Sequence, residues 1–145
     1  MNLVTKFKIA TSVNEVYEAF VDPEKIGNFW FSSSSERWES GKKIQLTYDE
    51  YNARLEITVV EAEPNKKIAF KWGADDEERT ITITLHELEN SETIIEVNEE
   101  GFADNDPDLM AKLLDNKEGW VFMLTCLKGY LEFGVTKLRG GLVKD

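Results

Sequence analysis

The sequence has little cysteine, histidine, proline and positive charge, and most of these shortages exclude a class of protein. The single cysteine, Cys126, excludes an intramolecular disulfide. The single histidine, His86, cannot complete a zinc site with that cysteine unless several carboxylates join them. Only 17 basic residues stand against 28 acidic ones, and the resulting net charge of −11 repels a nucleic-acid backbone and an anionic membrane surface. We therefore expect neither nucleic acid nor a membrane as a partner.

Long apolar runs are also missing. No stretch approaches the roughly 18 to 20 consecutive apolar residues that span a bilayer. Residues 1–6 lack the apolar core of a signal peptide, so we expect a cytoplasmic location. Hydrophobic residues nevertheless make up 41% of the 145 residues, which is enough for one packed core. We expect a single domain over residues 1–145.

Alternating apolar and polar residues predict an antiparallel sheet. Phe7 and Ile9 alternate with lysines in a first strand over residues 3–10. Similar alternation recurs between residues 35 and 101, with short connectors such as 73–76, and such connectors join antiparallel strands. The apolar positions of these later strands are Ile44, Leu46, Tyr48, Leu55, Ile57, Val59, Ile68, Phe70, Trp72, Ile81, Ile83, Leu85, Ile95 and Val97.

Two short helices are predicted between the first two strands. Ser12 and Glu15 have the spacing of a capping box, and apolar residues follow at helical spacing. Pro23 ends this helix because it lacks an N–H, and it can open a second helix that extends to Asn28. The four serines at 32–35 are interpreted as a loop.

A long amphipathic helix is predicted after the sheet, over residues 117–133. A separate short helix, over residues 107–114 and capped by Asp106, is predicted before it. Gly134 occupies the position where left-handed C-cap residues are common, and Gly140-Gly141 is interpreted as part of a flexible tail. The apolar residues that recur at spacings of three and four in the long helix are Trp120, Met123, Leu124, Leu127, Tyr130 and Leu131.

The lengths of these elements predict how they pack. A helix of about 17 residues is about 25 Å long, which matches a strand of about eight residues. Each strand has one apolar face that must be covered, and the long helix is the candidate cover. The predicted fold class is α+β, a six- to seven-stranded antiparallel sheet wrapped around a long C-terminal helix, with two short helices between strands 1 and 2.

The sequence gives little indication of a catalytic site or a metal site. His86 is in register with outward-facing threonines and Cys126 lies off the apolar stripe of its helix, so we expect no nucleophile pair. The aspartates at 104, 106 and 108 resemble a calcium loop in spacing. However, Leu109 and Asp115 occupy the positions that require glycine and glutamate. We expect no catalytic residue, no metal and no cofactor.

Several short segments, in their order and spacing, resemble a known family. Asp22-Pro23-Glu24-Lys25-Ile26 leads into Phe29-Trp30-Phe31, residues 60–68 precede Phe70-Lys71-Trp72, and Glu118-Gly119-Trp120 heads the long helix. Together they resemble the activator of heat shock protein 90 ATPase homologue family, within the START-like, helix-grip superfamily. The resemblance implies an apolar cavity between helix and sheet that takes lipids, sterols, polyketides or other hydrophobic molecules. It also implies a chaperone or another protein as an alternative partner.

Aromatic residues dominate the candidate cavity, although packing in the core is the alternative interpretation for each of them. Tyr48, Glu99 and Tyr130 are the polar residues whose register would let them orient a ligand. The leading hypothesis is non-enzymatic binding of a small hydrophobic or amphipathic ligand. The alternatives are a stress-response or chaperone-associated interaction module and an enzyme acting on a hydrophobic substrate. The predicted lining residues are Trp30, Trp38, Tyr48, Phe70, Trp72, Ile83, Val97, Phe102, Trp120, Met123, Leu124, Leu127 and Tyr130.

Overall fold

The computed structural model describes residues 1–74 and 77–144 and has an α+β fold, as predicted. Two residues of the turn predicted over 73–76 lie outside this described part of the chain. Short 3-10 turns occur at Ile26–Asn28, Asp49–Tyr51 and Glu89–Ser91. The strands and α-helices are, in chain order, β1 (Asn2–Ile9), α1 (Val13–Val21), β2 (Ser33–Ser34), β3 (Lys43–Tyr48), β4 (Ala53–Glu63), β5 (Lys67–Trp72), β6 (Arg79–Glu87), β7 (Thr93–Glu100) and α2 (Leu109–Phe133).

One antiparallel sheet contains all seven strands of the described residues, in the order β1-β7-β6-β5-β4-β3-β2. Strands β2 to β7 follow one another as hairpins, and β1 pairs with β7 at the far edge. A register shift between Val59 and Glu61 interrupts the β4–β5 ladder, and a bulge of this kind bends a strand. The sheet is therefore a continuous surface whose free edges are β1 and β2.

The helix α2 covers the inner face of the sheet, and it is one helix rather than the two that were predicted. It runs unbroken from Leu109 through Asp115-Asn116. Asn116 donates a side-chain hydrogen bond to Glu99 at 2.9 Å, so a tertiary contact supports the segment where local propensity is weak. Asp106 lies before the helix, where its side chain accepts from the Asp108 N–H at 2.8 Å. Gly134 is left-handed at the C-cap, as predicted.

Contacts with β1 tie α2 to one edge of the sheet. Lys117 donates to the carbonyl of Val4 at 2.7 Å, and Lys128 donates to the carbonyl of Lys8 at 2.9 Å. Glu132 accepts from the backbone N–H of Ala10 at 2.9 Å. Because the helix is held along β1, the space on its other side, toward β3, must be closed by something else.

The segment between α1 and β3 differs from the prediction. The helix expected over 23–28 is only the 3-10 turn at its end, and two of the four serines interpreted as a loop form β2. Ser12 caps α1, since its side chain accepts from the Glu15 N–H at 3.3 Å. Trp38 is buried as expected, but it precedes β3 and does not lie on an inner strand face. Short irregular segments carry no periodicity, so their backbone path depends on tertiary contacts.

The core lies between the sheet, α1 and α2. Isoleucines and valines of β3 to β7 alternate into it, and each such side chain contributes about 1.5 to 3 kcal/mol when fully buried. The outward positions of the same strands are mainly threonine, glutamate and lysine, which explains the alternation. The fully buried inward residues are Ile44, Ile57, Val59, Ile68, Phe70, Ile81, Ile83, Ile95 and Val97.

After α2 the chain turns back along the helix, and we name residues 135–144 the strap. Leu138 lies close to Gly129, Gly141 lies close to Phe122, and Lys144 donates to Asp115 at 2.6 Å. Extended chain covers about 20 Å in six residues, which matches about 14 residues of helix. The strap therefore runs antiparallel to α2 and packs on the fold, whereas the sequence analysis interpreted Gly140-Gly141 as part of a tail.

Candidate functional site

A cavity of about 370 Å³ lies between α2, the sheet and the strap, and it is partly open to solvent. Its wall is mostly apolar and aromatic, with a few polar side chains near α2 and the strap. Ligand sites in proteins have this volume and this composition. The lining residues are Trp30, Tyr48, Tyr51, Trp72, Asp115, Asn116, Gly119, Trp120, Phe122, Met123, Leu142 and Lys144.

Three tryptophans form the aromatic wall of this cavity. The rings of Trp72 on β5 and Trp120 on α2 are stacked, with centroids 5.3 Å apart and planes 14° apart. Trp30 lies against both, at 6.3 Å and 5.8 Å. Aromatic pairs in this distance range contribute about 0.5 to 1.5 kcal/mol beyond their burial. The wall therefore consists of packed rings and offers a flat apolar surface to the cavity.

A buried carboxylate holds this wall in place. Glu99, on the inner face of β7, is 0% exposed. It accepts from the Trp120 indole N–H at 2.8 Å and from the Asn116 side chain at 2.9 Å. Both donors line the cavity, so Glu99 fixes two lining side chains although it does not line this cavity itself.

The strap closes the side of the cavity that faces β3, and Arg139 anchors it. Its Nε donates to the carbonyl of Trp30 at 2.5 Å, its Nη1 to Glu50 at 2.6 Å and its Nη2 to Ser32 Oγ at 2.8 Å. The guanidinium carbon lies 4.6 Å from the centroid of the Tyr48 ring. Arg139 is only 8% exposed. A buried arginine with three acceptors and an aromatic face is a strong attachment.

Two tyrosines attach the strap from the sheet side. Tyr48 donates to the carbonyl of Arg139 and Tyr51 to the carbonyl of Leu142, both at 2.6 Å. On the helix side, Lys144 donates to Asp115 at 2.6 Å and to Glu118 at 3.1 Å. The strap thus bridges α2 and the end of β3 across the cavity.

These contacts shift several pKa values. The hydrogen bond from Arg139 lowers the pKa of Glu50, and the hydrogen bond with Asp115 raises the pKa of Lys144. Burial raises the pKa of Tyr48, which the positive charge of Arg139 opposes. The lowered pKa keeps Glu50 ionised and the raised pKa keeps Lys144 protonated at neutral pH, while Tyr48 is a neutral hydrogen-bond donor.

A second, more open cavity of about 470 Å³ lies beside the first, and Trp72 and Asn116 line both. Its charged rim includes Arg79 and Lys112, and both donate to Glu77. Arg79 also lies over the ring of Phe102, 4.3 Å from the centroid. Because the cations already have carboxylate partners, this cavity has no excess positive charge to attract an anion.

The thirteen predicted lining residues fall into three groups. Five surround the first cavity: Trp30, Tyr48, Trp72, Trp120 and Met123. The structure places Trp38, Phe70, Ile83, Val97, Leu124 and Leu127 in the hydrophobic core. Phe102 packs beneath Arg79, and Tyr130 stacks on Phe29 at 6.1 Å.

Sequence reasoning missed the lining residues on the strap and on the flank of α2. Phe122 and Gly119 lie off the apolar stripe, and Leu142 and Lys144 follow the helix in a segment without periodicity. The available signal was a hydrophobic residue, Leu138, and an arginine, Arg139, placed four and five residues after the C-cap glycine Gly134. That signal is too weak to specify a path.

The expectation that Cys126 lies off the apolar face was wrong, because Cys126 is 2% exposed. The strap covers its side of α2, and burial raises the pKa of the thiol. His86 is exposed on β6, as predicted.

Across residues 1–74 and 77–144, no cluster of three or more potential metal-ligating side chains occurs. No helix in the described residues is long and apolar enough to cross a bilayer.

Comparison with known proteins gives a family and several structural relatives. The sequence model described as activator of Hsp90 ATPase homolog 1-like protein matches residues 10–132. A crystal structure of a protein from Staphylococcus saprophyticus is 51% identical, with a TM-score of 0.83 over 94% of this chain and 95% of that chain. No curated protein matches the sequence.

More distant relatives share the fold. The solution structure of the Aha1 dimer from Colwellia psychrerythraea is 20% identical, with a TM-score of 0.79, over 92% of this chain and 98% of that chain. The crystal structure of CalU16 from Micromonospora echinospora is 16% identical, with a TM-score of 0.74, over 97% of this chain and 83% of that chain.

Proposed function

The chain belongs to the family of activator of Hsp90 ATPase homolog 1-like proteins, and we propose that it binds a small hydrophobic or amphipathic ligand in the cavity between α2, the sheet and the strap. The observation that carries the proposal is the wall of stacked aromatic rings, Trp72 and Trp120 with Trp30, around an open space of about 370 Å³. Apolar surface that remains in contact with solvent in a preformed cavity favours apolar ligands. Members of this fold family bind hydrophobic ligands, which agrees with the proposal.

The proposed ligand site is smaller than the set of thirteen residues expected from the sequence. We assign contact to the five predicted residues that line the cavity and add Tyr51, Phe122 and Leu142 from the structure. Polar contacts are available from Asp115, Asn116 and Lys144 at the rim, which suits an amphipathic molecule. Binding without catalysis is favoured because the buried Cys126 and the exposed His86 lie on opposite sides of the sheet.

A bulky residue at position 119 should weaken ligand binding without harming the fold. A Cβ placed on Gly119 would meet nothing within 4 Å beyond its own helix, so the space at the cavity wall is free. Gly119→Phe would fill that space, and it replaces glycine with a better helix former by about 0.5 kcal/mol. We expect at least about tenfold weaker binding of the uncharged fluorescent probe N-phenyl-1-naphthylamine, since about 1.4 kcal/mol of lost contact has that effect.

The matched control is Gly119→Ala, which should gain about 1 kcal/mol of stability and keep nearly all of the probe affinity. Fluorescence titration measures binding, and urea unfolding measures stability. Wild-type protein that fails to bind the probe saturably, or Gly119→Phe that binds like the wild type, would contradict the proposed site.

A protein partner is the second candidate function, and exposed apolar side chains on α2 are the observation that favours it. Met110 and Leu114 lie one turn apart on the face away from the cavity and are 67% and 64% exposed. The relative from Colwellia psychrerythraea is described as a dimer. We therefore propose a second copy of this chain as the partner of this face.

Sedimentation velocity tests this second candidate. Wild-type protein should show a concentration-dependent dimer at a salt concentration that screens the net charge of −11. Leu114→Glu should remain monomeric, because the dimer would bury an unpaired carboxylate. His86→Glu, which also adds one carboxylate but at an exposed position on the outer face of β6, is the control. A monomeric wild type at high concentration would exclude this partner.

A further inference from the structure

The cavity has several walls, and the strap is the one wall that the core of the fold does not require. α2 and the sheet are joined through fully buried residues such as Leu124 and Leu127. In the strap only Arg139 is buried, and Leu142 is half-buried, while the other residues are exposed. Moving α2 would expose the core to water, whereas moving the strap breaks a few hydrogen bonds. The strap is therefore the part of the wall that can open at the lowest cost.

The contacts of the strap are concentrated at one residue. Arg139 joins two separate segments of the chain. Its acceptors are the Trp30 carbonyl and Ser32 Oγ, both in the loop before β2, and the Glu50 carboxylate in the turn after β3. At the helix end, the Val135 N–H donates to the Gly129 carbonyl at 3.1 Å and Leu138 lies close to Gly129. The other polar attachments are single hydrogen bonds from Tyr48 and Tyr51 and the exposed ion pairs of Lys144. Exposed ion pairs contribute little, so release of Arg139 would free most of the strap.

We propose that the strap is a gate through which ligand enters the cavity, and that Arg139 is the latch that holds it closed. Leu142 and Lys144 belong to the cavity wall, so displacement of the strap removes part of that wall and opens the side facing β3. Leu142 contributes an apolar side chain to the wall of the cavity. When the strap moves away, an apolar ligand can take over the contacts that this side chain makes with the rest of the wall. The inference rests on the proposed function, because a gate acts only on a cavity that binds.

Arg139→Leu tests the latch and Lys137→Met is the matched control. Both substitutions remove one positive charge from the strap, but Lys137 is exposed whereas Arg139 is buried. Tyr51→Phe is a milder variant that removes only the hydrogen bond to the Leu142 carbonyl. Circular dichroism establishes that each variant folds. If Arg139→Leu does not fold, Tyr51→Phe takes its place in the measurements of strap opening.

Two measurements on the unliganded proteins report strap opening directly. Acrylamide quenching of tryptophan fluorescence should rise about twofold in Arg139→Leu, because Trp30, Trp72 and Trp120 line the cavity. Hydrogen exchange of the Gly141 amide, which donates to the Leu138 carbonyl, should accelerate. Values equal to those of Lys137→Met in both measurements would overturn the proposal.

Stopped-flow binding of N-phenyl-1-naphthylamine separates the gate from the binding site. We expect association to be at least about tenfold faster in Arg139→Leu, the change that loss of one charge-assisted hydrogen bond typically produces. Unchanged association despite increased quenching would show that ligand enters elsewhere and would overturn the gate. Absence of binding in every variant would overturn the proposed function instead, while quenching and exchange still decide whether Arg139 latches the strap.

Discussion

Replacing Trp120 with alanine is expected to lower the free energy of unfolding by about 3 to 5 kcal/mol, the usual cost of truncating a buried tryptophan. The side chain is 4% exposed and stacks on Trp72. Its removal also takes one of two hydrogen-bond donors from Glu99. Because Trp120 is part of the aromatic wall, probe binding should weaken by at least about tenfold as well.

Trp38→Ala is the control that separates these two effects. Trp38 is 1% exposed and packs against Phe70, but it does not line the cavity. Its truncation should cost a similar amount of stability and leave the probe affinity of the folded protein almost unchanged. Urea unfolding and fluorescence titration, both well below the unfolding temperature, measure the two quantities. Equal loss of affinity in both variants would show that binding depends on general stability and not on the Trp120 wall.

Replacing Glu99 with leucine is expected to destabilise the fold by about 2 to 4 kcal/mol, although leucine is apolar and similar in size. The buried indole N–H of Trp120 and the amide of Asn116 would lose their acceptor, and unsatisfied buried donors cost about 1 to 3 kcal/mol each. Glu99→Gln should cost less, because its amide oxygen can still accept. Glu100→Gln, on the exposed side of the same strand, should stay within about 0.5 kcal/mol of the wild type.

A double-mutant cycle tests whether Glu99 acts through Trp120. Trp120→Phe removes the indole N–H, so the second substitution, Glu99→Leu, should cost less in that background than in the wild type. We expect a coupling energy of about 1 to 3 kcal/mol, the upper part of the range for residues in contact. Additive losses in urea unfolding would show that the hydrogen bond at 2.8 Å does not carry the stabilisation.

Predictions from local sequence pattern were confirmed where the spacing of apolar residues determines a single strand or helix. Ile81, Ile83 and Leu85 alternate with threonines, and β6 has this inward and outward arrangement. The family resemblance, which used the order of such segments, was also confirmed. The lining residues at Trp30, Tyr48 and the other predicted positions stay a prediction until ligand binding is measured.

Predictions failed where a tertiary contact decides between local alternatives. The break expected near Asn116 does not occur, because its side chain bonds to Glu99 on β7. Cys126 was predicted to lie off the apolar face of its helix, but it is buried. The strap that covers it has no periodic spacing of apolar residues from which its position could be predicted. In each case the deciding partner is distant in sequence, and periodicity contains no information about it.

The amino-acid sequence by itself determined the sheet, the covering helix and the family, because alternation of period two and spacing of three and four assign each residue to a face. Only the tertiary structure decided that a cavity exists beside α2 and that residues 135–144 close it. The physical reason is that the strap has no repeating backbone hydrogen bonds. Its position comes from Arg139, whose acceptors lie on segments about 90 to 110 residues earlier in the chain.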